Sequence, residues 1–354
     1  MSRLSKFIST TIIGFSTMLF AAISSAAELS ERQILPPAFE KASNCFSGDF
    51  SSHKSWKDML INKNNKGENA KARVASVEKM FTAYLKEEDF NQYKSTLDCR
   101  IFWYKVGGEY VQGYYIAPKP NTADNKAKKT KPPVIVYNRG GNADFGAINF
   151  TDMFFTLFPL ANEGFAIIGS QYSGFGNENS KRQDEFGGAD VDDVVTLINL
   201  IPEIDGVDSE KVGMYGSSRG AMQSYLTLMQ QNRVKALVAQ AGDSDLIFGL
   251  QKRPEFERVY KARIPNYDTD KDNQLKKRSV LLWAEELPKQ VPILLIHGDQ
   301  DKRVAIEHSE RLATRLTELE HPHKFIRFDG GDHSLMAHKG EVNLAVVEWF
   351  TNHL

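Results

Sequence analysis

From Pro132 onward, short apolar segments alternate with amphipathic helical patterns, and this alternation constrains the fold more than any other feature. Near-continuous apolar strands that alternate with helices indicate an α/β fold with a mostly parallel sheet covered on both faces. The chain has no internal repeat, which argues against propellers and solenoids. The predicted strands are Val134–Tyr137, Phe165–Gly169, Val212–Tyr215, Ala236–Gln240, Ile293–Ile296 and Phe325–Phe328, and the helical patterns between or after them include Asp190–Leu200, Ala221–Gln230, Ala305–Leu319 and Glu341–His353.

The chain ahead of Pro132 has a different organisation. Arg100–Val106 and Tyr110–Ile116 are β-rich runs on either side of a Gly-Gly pair, which predicts a hairpin. From Glu28 to Leu97 the pattern is polar and helical, with an apolar stripe between Val74 and Leu85. We therefore expect a small helical extension over residues 28–97, which packs on the main domain or covers a substrate, and a main domain over residues 98–354.

The N-terminus has the pattern of a secretory signal peptide. Arg3 and Lys6 precede an apolar run from Phe7 to Ile23, and Ser25 and Ala27 are the small residues that a signal peptidase requires. The alternative is an uncleaved membrane anchor, but this run is short and contains Ser and Thr. The sequence thus predicts a signal peptide over residues 1–27, a secreted or periplasmic protein, and no stable membrane insertion after cleavage.

The remaining composition limits cofactors and partners. Lys and Arg total 44 against 45 Asp and Glu, so the chain has no basic excess for binding nucleic acid. Neither CxxC nor HExxH occurs, and we expect no metal and no other cofactor. Cys45 and Cys99 are the two cysteines. Export favours their pairing over two separate buried thiols, and such a loop would stabilise the fold by about 4 kcal/mol.

The segment Gly216-Ser217-Ser218-Arg219-Gly220 is a G-x-S-x-G motif placed between a predicted strand and a predicted helix. In such a strained turn, side chains at the glycine positions would collide with the neighbouring strand and helix. The turn raises the Ser218 hydroxyl above the sheet and leaves the Arg219 N–H at a helix N-terminus, where it can stabilise an oxyanion. The spacing makes Ser218, not Ser217, the predicted nucleophile.

A serine nucleophile needs a base that is oriented by an acid, and both follow in the expected chain order. Asp301 comes just after the strand Ile293–Ile296, and His333 follows the strand Phe325–Phe328. Asp299 is the nearby alternative for the acid, but its position fits the turn better. His338 is the nearby alternative for the base, but it lies where the last helix begins. The sequence therefore predicts a Ser218–Asp301–His333 triad.

A second oxyanion donor is expected where Val134–Tyr137 runs into Asn138-Arg139-Gly140-Gly141. Glycines at this place allow backbone N–H groups to approach a substrate carbonyl, with Gly140 as the candidate. An ordinary Gly-Gly turn is the alternative. The polar, partly helical segment 243–290 interrupts the α/β alternation and could cap the cleft.

In these motifs the region from about Tyr104 to Leu354 resembles the α/β-hydrolase catalytic domain of the prolyl oligopeptidase family. The resemblance implies the triad roles for Ser218, Asp301 and His333, an oxyanion role for the Arg219 N–H, and peptidase activity. The further matching segments are Gly108–Gly113, Gln171–Gly176, Glu185–Gly188 with Asp192-Asp193, Trp283–Glu285 and Pro292–Gly298.

Three departures from the family concern substrate selection. The 70-odd residues ahead of the hairpin cannot build the β-propeller that the family's peptidases usually carry. Arg139 stands where the family often has Tyr, and Ser217 and Arg219 stand where Trp and Tyr are common. One of the two arginines could hold a substrate carboxylate, although ion pairs with Asp or Glu are the more ordinary role.

These observations predict a secreted serine hydrolase that works through an acyl-enzyme, most consistent with a serine-type peptidase acting on short peptides. A carboxylesterase acting on small acyl esters is the alternative, because one fold hosts both activities. A non-catalytic binding protein on this fold would be expected to lack a triad residue, and none is missing.

Overall fold

A computed structural model describes residues 35–120 and 130–354, and these residues build one nine-stranded sheet in the order β1-β2-β3-β5-β4-β6-β7-β8-β9. The strands β1 to β3 pair antiparallel with one another and β3 pairs antiparallel with β5, whereas all pairs from β5 to β9 are parallel. The strands are β1 Glu40–Asn44, β2 Leu97–Val106, β3 Glu109–Pro118, β4 Pro133–Asn138, β5 Ala166–Ser170, β6 Asp208–Ser217, β7 Val234–Gln240, β8 Ile293–Gly298 and β9 His323–Phe328.

Helices cover both faces of this sheet, and an apolar cluster lies under each layer. They are α1 His53–Asn64, α2 Ala70–Ala83, α3 Glu87–Thr96, α4 with consecutive segments Phe150–Asp152, Met153–Leu157 (a π-turn) and Phe158–Asn162, α5 Val191–Leu200, α6 Arg219–Leu228, α7 Leu246–Lys252, α8 Glu257–Arg263, α9 Tyr267–Lys277, α10 Glu307–Glu318 and α11 Lys339–His353. Every predicted strand and helix named above is present, with bounds that differ by a few residues. The sheet order and the helix layers are those of the α/β-hydrolase fold.

The N-terminal extension differs from the prediction of a purely helical segment. Its first described element is β1, a polar strand that pairs antiparallel with β2 at the edge of the sheet. The helices α1 to α3 bury Trp56, Phe81 and Phe90, which pack with Phe150 and Phe154 of α4. No residue of 35–97 lines the large cavity described below. The extension therefore packs against the main domain and does not cover that cavity.

A disulfide joins Cys45, next to β1, to Cys99 in β2, as predicted. It ties the extension to the edge of the sheet. The signal-peptide prediction over residues 1–27 lies outside the described residues, and the domain boundaries stay a prediction. No helix formed by the described ranges has the length and hydrophobicity needed to span a bilayer.

The sheet places the predicted site at one edge. The chain passes from β4 to β5 on one side and then returns to β6 on the other side of β4, so the connections diverge between β4 and β6. Ligands of open α/β sheets bind beyond the carboxyl ends of strands at such a point. Gly140, Ser218, Asp301 and His333 follow the carboxyl ends of β4, β6, β8 and β9.

Candidate active site

Ser218 lies in a sharp turn between β6 and α6. Its backbone has φ 56° and ψ −127°, a region that non-glycine residues rarely adopt and that marks a strained functional turn. A Cβ at Gly220 would lie 1.9 Å from the Asn138 carbonyl oxygen, and one at Gly216 would lie 2.2 Å from the Gly220 oxygen. Both glycines are therefore required by close packing, as the sequence motif predicted.

The predicted triad residues form one continuous hydrogen-bonded chain. Asp301 Oδ2 lies 2.7 Å from His333 Nδ1, and His333 Nε2 lies 3.0 Å from Ser218 Oγ. Because a carboxylate only accepts, Nδ1 carries the proton of the neutral imidazole, and Nε2 is then free to accept from the serine hydroxyl. The side chain of Asp301 is fully buried, while His333 is 16% exposed. The arrangement is that of a base oriented by an acid beside a nucleophile.

Asp301 is held by more groups than His333 alone. Its Oδ1 accepts from the N–H groups of Arg303 at 2.8 Å and Val304 at 3.0 Å, and its Oδ2 also lies 3.2 Å from His297 Nε2. Burial by itself would raise the pKa of Asp301, but the hydrogen bonds from His297 and His333 outweigh burial and hold this pKa below its ordinary value. Asp301 is therefore an anion at neutral pH.

His297 is a site residue to which the sequence assigned no role. Its Nε2 lies 3.0 Å from the Val304 carbonyl oxygen, which can only accept, so Nε2 carries a proton. The same N–H points towards Asp301, and Nδ1 lies 2.7 Å from the Ser309 hydroxyl. The buried imidazole thus helps to orient the carboxylate through Oδ2, the same oxygen that His333 contacts. The available signal was weak: a histidine ends an apolar strand four residues before the acid.

The two segments predicted to carry oxyanion donors meet at Ser218. A Cβ at Gly140 would lie 3.0 Å from Ser218 Cβ and 3.6 Å from Ser218 Oγ, so this loop passes directly beside the nucleophile. Arg219 is the first residue of α6, where backbone N–H groups have no partner within the helix. The Gly140 and Arg219 backbones are therefore both close enough to serve a substrate carbonyl bound at Ser218.

The structure contradicts the prediction that Arg139 could hold a substrate carboxylate or pair with an acid. Its side chain is fully buried, and its guanidinium donates to the carbonyl oxygens of Gly140, Ala143, Phe145 and Gln171. It also stacks on the ring of Tyr172 at 4.7 Å. Because its donors are turned to backbone carbonyls inside the protein, Arg139 shapes the loop 139–146 and does not reach the substrate.

Arg219 forms the ion pairs that were the ordinary expectation, but they are buried. Its guanidinium donates to Asp184 through two bonds of 2.8 and 2.9 Å and also to Asp190. Asp184 accepts from the Ala143 N–H at 2.7 Å, so it connects Arg219 to the loop that carries Gly140. Burial opposes ionisation of Asp184, yet Arg219 and two backbone N–H groups hold its pKa below the ordinary value. Because Asp184 and Asp190 occupy the guanidinium, the geometry favours the ion-pair role of Arg219 over a contact with a substrate carboxylate.

A cavity of about 540 Å³ opens in front of Ser218 and His333. Residues of the segment 243–290 form one wall, as predicted for a cleft-covering segment, and Ile148, Phe155 and Thr156 belong to another wall.

Asp299 pairs with Arg327 at 2.9 Å and accepts from the Gly330 N–H, so it belongs to the turn and not to the triad. Within the described ranges, no cluster of three His, Cys, Asp or Glu side chains could hold a metal ion.

A family model described as the prolyl oligopeptidase family matches residues 151–354, which include all three triad positions. The chain belongs to the prolyl oligopeptidase family. This membership agrees with the resemblance in the sequence motifs. The family is one of serine peptidases. The family match does not cover the N-terminal extension or β1 to β4.

Curated relatives match the same region. The chain is 26% identical over 189 residues to the uncharacterized peptidase YtmA of Bacillus subtilis (strain 168), covering 53% of this chain and 70% of the relative. It is 29% identical over 239 residues to the uncharacterized peptidase YuxL of the same organism, covering 64% of this chain and 34% of the relative. The chain thus spans most of one relative and about a third of the other.

A solved structure confirms the α/β-hydrolase fold. The acylaminoacyl peptidase of Pyrococcus horikoshii superposes with a TM-score of 0.62 at 22% identity, covering 75% of this chain and 43% of the archaeal chain. At this identity the likeness shows the fold alone. The described residues of this chain form a single nine-stranded sheet and no propeller.

Proposed function

We propose that this protein is a serine peptidase that hydrolyses short peptides through an acyl-enzyme on Ser218. The observation that carries the proposal is the hydrogen-bonded chain from Asp301 through His333 to Ser218 at the floor of an open cavity. Family membership supports a peptide substrate, and the cavity has the volume of an ordinary small-ligand site.

In the proposed reaction, Ser218 Oγ attacks the carbonyl carbon of the substrate while His333 Nε2 takes the hydroxyl proton. The N–H groups of Arg219 and Gly140 stabilise the oxyanion of the tetrahedral intermediate. The imidazolium then protonates the leaving amine, and the C–N bond breaks to give the acyl-enzyme. Water repeats the sequence with His333 as the base, which releases the acid and restores Ser218.

Hydrolysis assays on purified protein test this proposal. Peptidyl amides and short-chain acyl esters are compared for the wild type, for Ser218→Ala and for the matched control Ser217→Ala. We expect amide hydrolysis that Ser218→Ala lowers by at least 10⁴-fold and Ser217→Ala largely retains. Hydrolysis of esters but no amide would make the protein a carboxylesterase, and amide hydrolysis retained by Ser218→Ala would move the nucleophile elsewhere.

We also propose that the protein is exported, with cleavage after Ala27. The N-terminal sequence pattern and the Cys45–Cys99 disulfide, which oxidising compartments favour, support this proposal. Mass spectrometry of the protein from its own cell, under non-reducing conditions, should give an N-terminus at Glu28 and no alkylated thiol. A chain that starts at Met1 would contradict cleavage.

A further inference from the structure

Five cationic side chains line the cavity in front of Ser218, and they differ in their partners. Arg219 pairs with the buried Asp184 and Asp190. Lys252 pairs with Glu307 at 2.7 Å, and Arg253 pairs with Glu255 at 3.0 Å. Arg303 is exposed, so water solvates its charge. Lys339 is the exception, because it is partly buried and its ammonium group has no carboxylate oxygen within 4 Å among the described residues.

The surroundings of Lys339 supply one partner. Its Nζ donates to Thr156 Oγ1 at 3.1 Å, and an ammonium group has three hydrogens to donate. Because Oγ1 accepts from Nζ, the hydroxyl hydrogen of Thr156 stays available for another acceptor. Burial lowers the pKa of Lys339 to about 8, so the side chain is still mostly a cation at pH 7. The Lys339 ammonium group and the Thr156 hydroxyl group therefore face the same part of the cavity, and each has a hydrogen that it can donate to a ligand.

The position of Lys339 in the fold gives the charge no structural compensation. Lys339 is the first residue of α11, and the positive end of a helix dipole disfavours a cation at this place. Desolvation also disfavours the charged form. An anion bound in the cavity would relieve both effects.

The chain order indicates which side of the substrate this anion belongs to. Ser334, Met336 and Lys339 follow His333 closely and line the cavity with it. In the proposed reaction His333 Nε2 delivers its proton to the leaving amine, so the cavity wall that continues from His333 borders the leaving group. We propose that Lys339 and Thr156 form a subsite that binds a carboxylate of the substrate on the leaving-group side of the scissile bond. This inference rests on the proposed peptidase function of Ser218.

A peptide library synthesised in two forms tests the subsite. One form ends in a free carboxylate and the other in a carboxamide, and within the carboxamide form Asp or Glu is compared with Asn or Gln after the cleaved bond. The two comparisons separate an α-carboxylate from an acidic side chain as the bound group. Cleavage by the wild type, Lys339→Met, Lys339→Arg and Thr156→Val is followed by mass spectrometry. Lys277→Met, an exposed change at the end of α9, is the matched control.

We expect the wild type to cleave one of the two carboxylate classes with at least tenfold higher kcat/KM than its neutral counterpart. Lys339→Met should remove this ratio mainly through KM, Thr156→Val should lower it severalfold, and Lys339→Arg and Lys277→Met should keep it. A wild type without preference, or a ratio that survives in Lys339→Met, would overturn the subsite while Ser218-dependent cleavage stands. If neither library is cleaved although a fluorophosphonate still labels Ser218, both the subsite and peptide hydrolysis fall.

Discussion

Arg219 and Lys339 are two cations close to the same active site, and they differ in their partners: Arg219 is paired with buried carboxylates, whereas Lys339 contacts a neutral hydroxyl group. The Arg219 guanidinium lies behind Ser218 with Asp184 and Asp190 as buried partners, and its charge is neutralised inside the protein. The Lys339 ammonium lies in the cavity with one neutral hydroxyl partner. A neutralised buried cation can hold backbone in place, whereas an uncompensated one lowers stability and is free to bind a ligand.

The largest expected effect in this comparison is the loss of the Arg219 ion pairs. Arg219→Met leaves Asp184 and Asp190 buried without a counter-charge, so it should lower the free energy of unfolding by about 3–5 kcal/mol. Urea unfolding measures this loss. Arg233→Met is the matched control, since Arg233 is more than a third exposed and lies 4.0 Å from Glu210, and it should change stability by less than about 0.5 kcal/mol. Equal effects of the two changes would refute the buried role of Arg219.

The opposite sign is expected for Lys339. Lys339→Met removes a desolvated charge and should raise the free energy of unfolding at pH 7 by on the order of 1–3 kcal/mol. Its pKa is about 8 in the folded protein and near 10.5 in the unfolded chain, so the wild type binds fewer protons folded than unfolded between these values. The unfavourable contribution of Lys339 to stability should therefore diminish from pH 8 to 10.5, so the advantage of the variant over the wild type should shrink. Thermal unfolding across this pH range checks both statements, and a destabilised variant at pH 7 would contradict them.

Asp301 extends the comparison to a buried carboxylate that has imidazole rather than guanidinium partners. His297→Leu removes one N–H donor, while His333 and two backbone N–H groups remain, so the effect should be smaller than the others. We expect kcat to fall about tenfold, or about 1.4 kcal/mol, with KM unchanged. The rate of fluorophosphonate labelling should fall in parallel. A change in KM alone would mean that His297 affects the cavity rather than the triad.

The sheet and the three residues that meet in the candidate active site could be predicted because their signals are local. Six apolar runs define the strands, and Ser218, Asp301 and His333 each follow the end of one of them. The edge strand β1 was missed because Glu40–Asn44 is polar and exposed, and its strand conformation comes from pairing with β2. No local pattern in the sequence indicates that pairing.

The environments of the two arginines could not be predicted for a related reason. Asp184 and Asp190 lie in a loop about 30 residues before Arg219, and only the folded chain brings them behind Ser218. The partners of Arg139 are backbone carbonyl oxygens, and the pattern of side chains in a sequence does not indicate which carbonyl groups will surround a residue. Lys339 was also missed, since a lysine at the start of a helix is usually solvated. Partner identity is a tertiary property that sequence spacing does not determine.

The most direct test of the account is the identity of the serine that forms the covalent intermediate. The protein is treated with a fluorophosphonate, digested, and the modified peptide is sequenced by tandem mass spectrometry. The hydrogen bond from Ser218 Oγ to His333 Nε2 predicts a single adduct on Ser218, absent after denaturation and strongly reduced in His333→Ala. An adduct on Ser217, or on a serine outside the turn between β6 and α6, would contradict it.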